Sequence, residues 1–173
     1  VDLLDLPVII SSLPNIPGRM EVFGGGNKPT VVVDYAHSED SFAAVLKFLM
    51  AHCSGSLVSV FGCGGERPVD RRSGMGRVAD LYADKIILTQ DNPRGENIAD
   101  INSTILANIS DNTKVTLIDD RDAAIENAIN SCKSGDVVLV SGKGHEQYQD
   151  IRGCRYKHSD VEEECNQRAR RVD

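Results

Sequence analysis

The sequence predicts a doubly wound α/β fold, a Rossmann-like, mostly parallel sheet with helices on both faces. Five short runs rich in Val, Ile and Leu carry this reading: TVVVDYA (30–36), SLVSVFG (56–62), DKIILTQ (84–90), KVTLIDD (114–120) and DVVLVSG (136–142). They are nearly continuous in apolar residues instead of alternating, as strands covered on both faces should be. Stretches of helical periodicity lie between them, and strand–helix repetition requires right-handed crossovers and therefore a parallel sheet.

The opening VDLLDLPVIISSL has no basic n-region and is broken by Pro7, so it is not a signal peptide. Residues 1–17 are expected to be a linker or the end of a missing preceding domain, and 18–173 the domain proper. A first residue of Val, not Met, suggests a piece of a longer chain. After the first strand, SEDSFAAVLKFLMAH places Phe42, Val45, Leu46 and Leu49 at three-to-four spacing, which predicts a helix. A shorter helix is expected over Arg77–Ala83. NIADINSTILANI carries Ile98, Ile101, Ile105 and Ile109, and RDAAIENAINSC carries Ala124, Ile125, Ala128 and Ile129 in the same pattern. The tail IRGCRYKHSDVEEECNQRARR predicts an irregular or hairpin segment, then a capped polar helix from Ser159 or Asp160.

With 173 residues, 40% apolar and 26% charged, the chain suits one well-buried soluble domain with a short appendage. A net charge of −7 argues against a nucleic-acid or anionic-membrane partner, which would want a basic surface. No apolar run is long enough to span a bilayer, so no membrane insertion is expected. The five cysteines form no C-x-x-C pair and no zinc spacing, so reduced cytosolic thiols are expected. Cys63 reads as a small packing residue.

Ligands of open parallel sheets bind beyond the carboxyl ends of the strands. The five predicted strands are followed there by Asp34-Tyr35-Ala36-His37, Gly62-Cys63-Gly64-Gly65-Glu66-Arg67, Asp91-Asn92-Pro93-Arg94, Asp119-Asp120-Arg121 and Gly142-Lys143-Gly144-His145-Glu146. Taken singly, several have plain explanations. Asp34 and His37 could cap the next helix, Asp120 and Arg121 suit a helix start, and the glycines match no complete dinucleotide fingerprint. Lys143 belongs to no P-loop, because Gly144 follows it where Ser or Thr is needed, and the chain has no Walker loop. The DNPR stretch is different. Proline fixes a turn that frees Arg94 to project, and Asp91 with Arg94 pairs an ammonium acceptor with a planar carboxylate clamp. Glu146 offers a second acceptor. Such a set suits a zwitterion, an amino acid.

These motifs, in this order and spacing, resemble the C-terminal domain of Mur ligases, of the MurE type that adds meso-diaminopimelate. The resemblance runs from Gly18-Arg19-Met20-Glu21 through VVVDYAH, VFGCGGER, DNPR and SGKGHEQYQ to His158-Ser159-Asp160. It implies ATP-dependent amide formation in peptidoglycan synthesis by a bacterial cytoplasmic enzyme. The glutamyl carboxylate of UDP-N-acetylmuramoyl-L-alanyl-D-glutamate is phosphorylated, the diamino acid's amine attacks, and phosphate leaves. The P-loop and Mg2+ site would lie in a central domain, so ATP and Mg2+ would be bound mainly outside this chain, which alone would be inactive and contains no catalytic or metal-binding residue. The resemblance assigns Arg67, Asp91, Asn92, Arg94, Gly142 and Glu146 to meso-diaminopimelate, and Arg19, Asp34 and His37 to the nucleotide side. Diaminopimelate differs from lysine by a distal carboxylate, so an arginine placed for it would select against lysine. The loop Glu66-Arg67-Pro68-Val69-Asp70-Arg71-Arg72 departs from the family's usual Asp-Arg-Asp-Lys-Gly-Lys-Arg, though Arg67 keeps its place, and Ser38-Glu39 stands where Thr-Pro is common. A free-standing amino-acid or nucleotide-binding module is the alternative from another class. A folylpolyglutamate synthase is a third, disfavoured by DNPR together with GKGHE.

Overall fold

A computed structural model describes residues 14–164, so the first 13 residues of the expected linker and the end of the tail helix lie outside it. Six strands form one sheet in the order β1-β2-β6-β3-β4-β5: β1 (Glu21–Gly24), β2 (Thr30–Asp34), β3 (Leu57–Phe61), β4 (Lys85–Leu88), β5 (Val115–Leu117) and β6 (Val137–Ser141). All neighbours pair in parallel except β1, which runs antiparallel to β2. A separate antiparallel hairpin, β7 (Tyr148–Ile151) and β8 (Cys154–Lys157), follows. The five expected strands all form, each trimmed at its ends.

The helices are α1 (Glu39–His52), α2 (Val69–Tyr82), α3 (Ile98–Leu106) and α4 (Arg121–Ser131), and a further helix starts at 160. Three of them cover one face. Phe42, Leu46 and Leu49 of α1, Met75 and Ala79 of α2, and Ile101 and Ile105 of α3 pack with Leu57, Phe61, Ile86, Leu88 and Leu139 of the sheet. The Phe42 and Phe61 rings meet with centroids 4.8 Å apart. Burying side chains of this size contributes about 1.5–3 kcal/mol each. Ala124, Ile125, Ala128 and Ile129 of α4 cover the other face against Val31, Val33, Val58, Val60, Val138 and Val140. The two layers explain why β2, β3, β4 and β6 read as unbroken apolar runs, since residues pointing either way meet a helix, whereas β5, at the sheet edge, is not covered as expected and leaves Leu117 exposed.

Two elements differ from the sequence reading. Strand β1 was not foreseen, because EVFG is short, runs into glycines, and alternates in burial at the sheet edge. Helix α2 starts at Val69, eight residues before the expected Arg77, since its first turns, VDRRSGMG, show no clean apolar period. Its glycines reflect close packing instead. A Cβ at Gly76 would come within 2.6 Å of the Ile105 carbonyl oxygen, so α2 and α3 can approach only with Gly there. Neither Asp34 nor His37 caps α1. Ser38 does so, in a capping box with Ser41.

The tail is welded to the sheet by a buried ion pair. Arg121, at the start of α4, donates from Nε and Nη2 to Asp160 Oδ1 and Oδ2 at 2.7 and 2.8 Å, and both side chains are fully buried. The helix-start reading of Arg121 therefore missed its main role, although Asp120 does cap α4 by accepting from the Ala123 N–H. The His158 ring bridges the pair to α4, with Nε2 2.8 Å from Asp160 Oδ1 and Nδ1 2.8 Å from Asp122 Oδ1. Burial alone would raise the Asp160 carboxyl, but the charge and hydrogen bonds of Arg121 outweigh it and hold the group well below the usual carboxylate range. Its folded pKa is thus below its unfolded one, so its stabilisation is present above about pH 4 and fades as pH falls below that. Asp160→Asn should lower the unfolding free energy at pH 7 by about 3–5 kcal/mol in urea melts and flatten its dependence on acid, because Arg121 is left buried without a counter-charge.

Candidate functional site

The loops after β2, β6, β3 and β4, four neighbouring strands, converge on a cleft of about 180 Å³ at the carboxyl edge of the sheet. Arg67, Asp91, Asn92, Arg94, Gly142 and Glu146 all line it, together with Tyr35, His37, Cys63 and Arg71. The structure thus brings together every residue assigned to the amino acid. Arg19 and Asp34 lie outside the cleft wall.

The DNPR turn is held from two sides. The Asn92 carbonyl accepts from the Gly65 N–H at 2.9 Å, docking the glycine-rich loop of β3. Arg94 pairs with the hairpin, its N–H donating to the Asp150 carbonyl at 3.0 Å and its carbonyl accepting from the Arg152 N–H at 2.7 Å. Arg94 itself is left-handed, with φ of 51°, a costly conformation for a non-glycine residue that turns its side chain back over the cleft. There Nη1 donates to the Gly65 carbonyl at 2.7 Å and lies 3.4 Å from that of Asn92, which steadies one edge of the guanidinium.

The floor is carboxylate and amide. Asn92 is buried, with its Oδ1 accepting from Lys143 Nζ at 3.0 Å and the Asp150 N–H at 2.9 Å, while Nδ2 donates to Glu146 Oε2 at 3.1 Å. Its side chain is a junction for the site as well as a wall of the cleft. Asp91 is buried beside it, and burial pushes its carboxyl up from the ordinary range, with the Lys143 and Arg121 charges pulling the other way. Gly142, with φ of +111°, leaves the room that Asp91 needs, since a Cβ there would meet Asp91 Oδ2 at 2.7 Å.

The altered loop has its own anchor. Arg72, nearly buried, donates to Glu96 Oε1 at 2.8 Å, and the same oxygen accepts from the Glu66 N–H. The β3 loop is therefore fastened to the residues just after DNPR, with exposed Arg67 projecting at the mouth. Cys63 sits in the wall with its sulfur 3.6 Å from that of Met75, and burial pushes its thiol up to about 12. It is a packing group and no nucleophile at neutral pH. The Cys53 thiol donates to the Gly55 and Gly135 carbonyls at 3.3 and 3.5 Å, far from the cleft.

Beside the cleft, Arg19 stacks over the Tyr35 ring at 4.2 Å, and Tyr35 contacts the rings of His37 and His145 at centroid distances of 4.6 and 5.4 Å. Asp34 is buried, and its two oxygens accept from the Met20 and Ala36 N–H groups at 2.8 and 2.7 Å. It ties the entering segment to the end of β2. Among the described residues, no group of three or more His, Cys, Asp or Glu is placed to hold a metal ion, and no helix is long and apolar enough to cross a membrane.

The sequence pattern of the family described as "Mur ligase, glutamate ligase domain" matches residues 18–144. The chain belongs to the Mur ligase family. This Mur ligase domain is 45% identical over 161 residues to a UDP-N-acetylmuramoyl-L-alanyl-D-glutamate–2,6-diaminopimelate ligase of Xylella fastidiosa, covering 92% of this chain and 32% of that one. It is 44% identical over 158 residues to the ligase of the same name from Pseudomonas aeruginosa, covering 90% and 32%. A solved structure of a ligase with that name superposes with a TM-score of 0.85 at 38% identity, over 100% of this chain and 36% of that one. The chain thus spans about a third of the length of the relatives it matches. A folylpolyglutamate synthase from Thermotoga maritima, at 19% identity and TM-score 0.57 over 82% of this chain and 31% of that one, shares the fold alone.

Sequence reasoning missed Lys143, Arg121, Arg72, Tyr35 and His145. Their roles depend on burial and on partners distant in the chain, which residue type alone does not reveal. Gly142→Ala should displace Asp91 and strain the backbone, lowering stability by about 1–3 kcal/mol in thermal or urea unfolding. A wild-type melt for this variant would show that the Gly142–Asp91 approach is not required.

Proposed function

We propose that the cleft binds meso-diaminopimelate and that, within a full-length ligase, it presents the amino acid's free amine to an activated UDP-N-acetylmuramoyl-L-alanyl-D-glutamate. The supporting observation is the pairing of signs: two acidic groups, Asp91 and Glu146, line the same small cleft as the guanidinium-bearing side chains of Arg94 and Arg67. One end of a diamino diacid, with ammonium and carboxylate on the same carbon, matches that pairing. Its ammonium goes to Asp91 and Glu146, and its carboxylate to the free edge of Arg94. Asn92 and Gly142 supply the wall between them, and Arg67 faces the second carboxylate.

The group of exposed Arg19, His37 and His145 around half-buried Tyr35 suits the flat base and anionic groups of a nucleotide, through stacking and cation–anion contact. Arg19 and His37 are the direct contacts in this reading. Asp34 acts through the backbone it holds, setting the angle at which the entering segment leaves the domain. ATP and Mg2+ are held mainly by parts of the ligase outside this chain, and the working enzyme is a cytoplasmic bacterial one that builds peptidoglycan.

Titration calorimetry of the full-length ligase with meso-diaminopimelate and with L-lysine tests the assignment. Lysine lacks the distal carboxylate and leaves Arg94 unpaired, a loss of about 2–5 kcal/mol, so it should bind at least about a hundredfold more weakly. Arg94→Ala should abolish most of that preference while lowering stability by only about 1 kcal/mol, the value of its bond to Gly65. Equal binding of both amino acids by the unaltered protein would refute the reading.

A further inference from the structure

Lys143 has no place in the roles assigned so far, yet its side chain is 0% exposed beneath the cleft. Its Nζ donates to Asn92 Oδ1 at 3.0 Å and to Glu146 Oε2 at 3.3 Å, and lies 5.8 Å from the centre of the Tyr148 ring. A lysine is seldom sealed from water unless its charge is used. Here both hydrogen-bond partners belong to the cleft: one supplies the amide junction, the other an acceptor carboxylate.

We propose that Lys143 is a positioning residue for the acidic side of the cleft, fixing the Glu146 carboxylate and the Asn92 amide and offsetting the mutual repulsion of Asp91 and Glu146 until a ligand ammonium arrives. This rests on the reading of the cleft as an amino-acid site. Two carboxylates sharing a small cleft cannot both stay ionised without a nearby cation. Asp91 is faced by Lys143 and Arg121 of one sign and by Glu146 and Asp160 of the other, with the Cys63 thiol also close. Arg121 is committed to Asp160 by its two hydrogen bonds, and Arg67, Arg71 and Arg94 line the cleft itself, so Lys143 is the buried cation bonded directly to the acidic side. Lys143 and Asn92 both bond Glu146 through Oε2, which leaves Oε1 of a side chain that is 22% exposed for the ligand.

The sign of the effect follows. Burial raises the Asp91 carboxyl and Lys143 counters it, so removing the ammonium raises the group further. The acidic side then carries less charge at neutral pH and regains it as pH rises. The test is calorimetric binding of meso-diaminopimelate to the full-length ligase from pH 6 to 9, for the unaltered protein, Lys143→Met and Lys143→Arg. Lys143→Met is expected to weaken binding about ten- to a hundredfold at pH 7, with much of the loss recovered by pH 9, and Lys143→Arg to keep the wild-type pH profile. A Lys143→Met loss of equal size at every pH, or no loss at all, would overturn the proposal. If Lys143→Met does not fold, Lys143→Arg decides: a pH profile that moves away from wild type despite the retained charge would overturn the proposal, and an unchanged one would support it. Failure of the unaltered protein to bind meso-diaminopimelate would instead refute the underlying site reading.

Discussion

A single buried guanidinium sets the geometry on which the cleft depends. Arg121 is neutralised by Asp160, and its remaining hydrogens reach the Ser141 carbonyl at 2.9 Å and the Gln90 carbonyl at 3.4 Å. Those two carbonyls end the segments that deliver Gly142 and Asp91. One side chain therefore fixes the spacing of the β6 and β4 exits, and it does so from the face opposite α1, α2 and α3. Charged groups are tolerated there because they are paired and fully hydrogen-bonded; either one alone would be strongly destabilising. The pair also explains why the tail folds back: Asp160 lies at the start of the last described helix, so the segment after β8 supplies the counter-charge for the centre of the domain.

Above that anchor, the cleft is a small electrostatic frame. Cations are buried below, with carboxylates at the floor and guanidiniums at the opening. The low local dielectric strengthens each contact and makes each unpaired charge costly. Such a frame discriminates by charge placement more than by shape. In the proposed reading it favours a ligand that brings an ammonium and a carboxylate at a fixed separation, and it penalises one that leaves an arginine facing nothing. The left-handed backbone at Arg94 is consistent with this, since strain is retained where a side chain must be held at one angle.

The fold was legible in the sequence wherever one physical rule dominated. Runs such as VVLV, buried on both sides, could only be interior parallel strands, and the isoleucines of α3 and α4 fell on one stripe. The rule failed where packing overrode pattern. Helix α2 hides its start because Gly74 and Gly76 serve close contact with neighbouring elements instead of an apolar stripe, and β1 is a short edge strand with little to bury. The cleft was legible through strand-end position and charge type, which place Asp91, Arg94 and Glu146 on the same edge of the sheet. Lys143 and Arg121 were not legible, because a lysine between glycines and an arginine at a helix start look like surface residues until their burial is known. Asp34 shows the reverse case: the family resemblance assigned it to the nucleotide side, while its oxygens accept from the Met20 and Ala36 N–H groups.

The most direct test of the central claim is a crystal structure of the full-length ligase with meso-diaminopimelate bound. The account predicts one carboxylate of the ligand on the Arg94 guanidinium and the neighbouring ammonium between Asp91 and Glu146, with the other amine pointing out of the cleft. A ligand bound away from the DNPR turn, or one whose distal carboxylate makes no contact with Arg94, would contradict it.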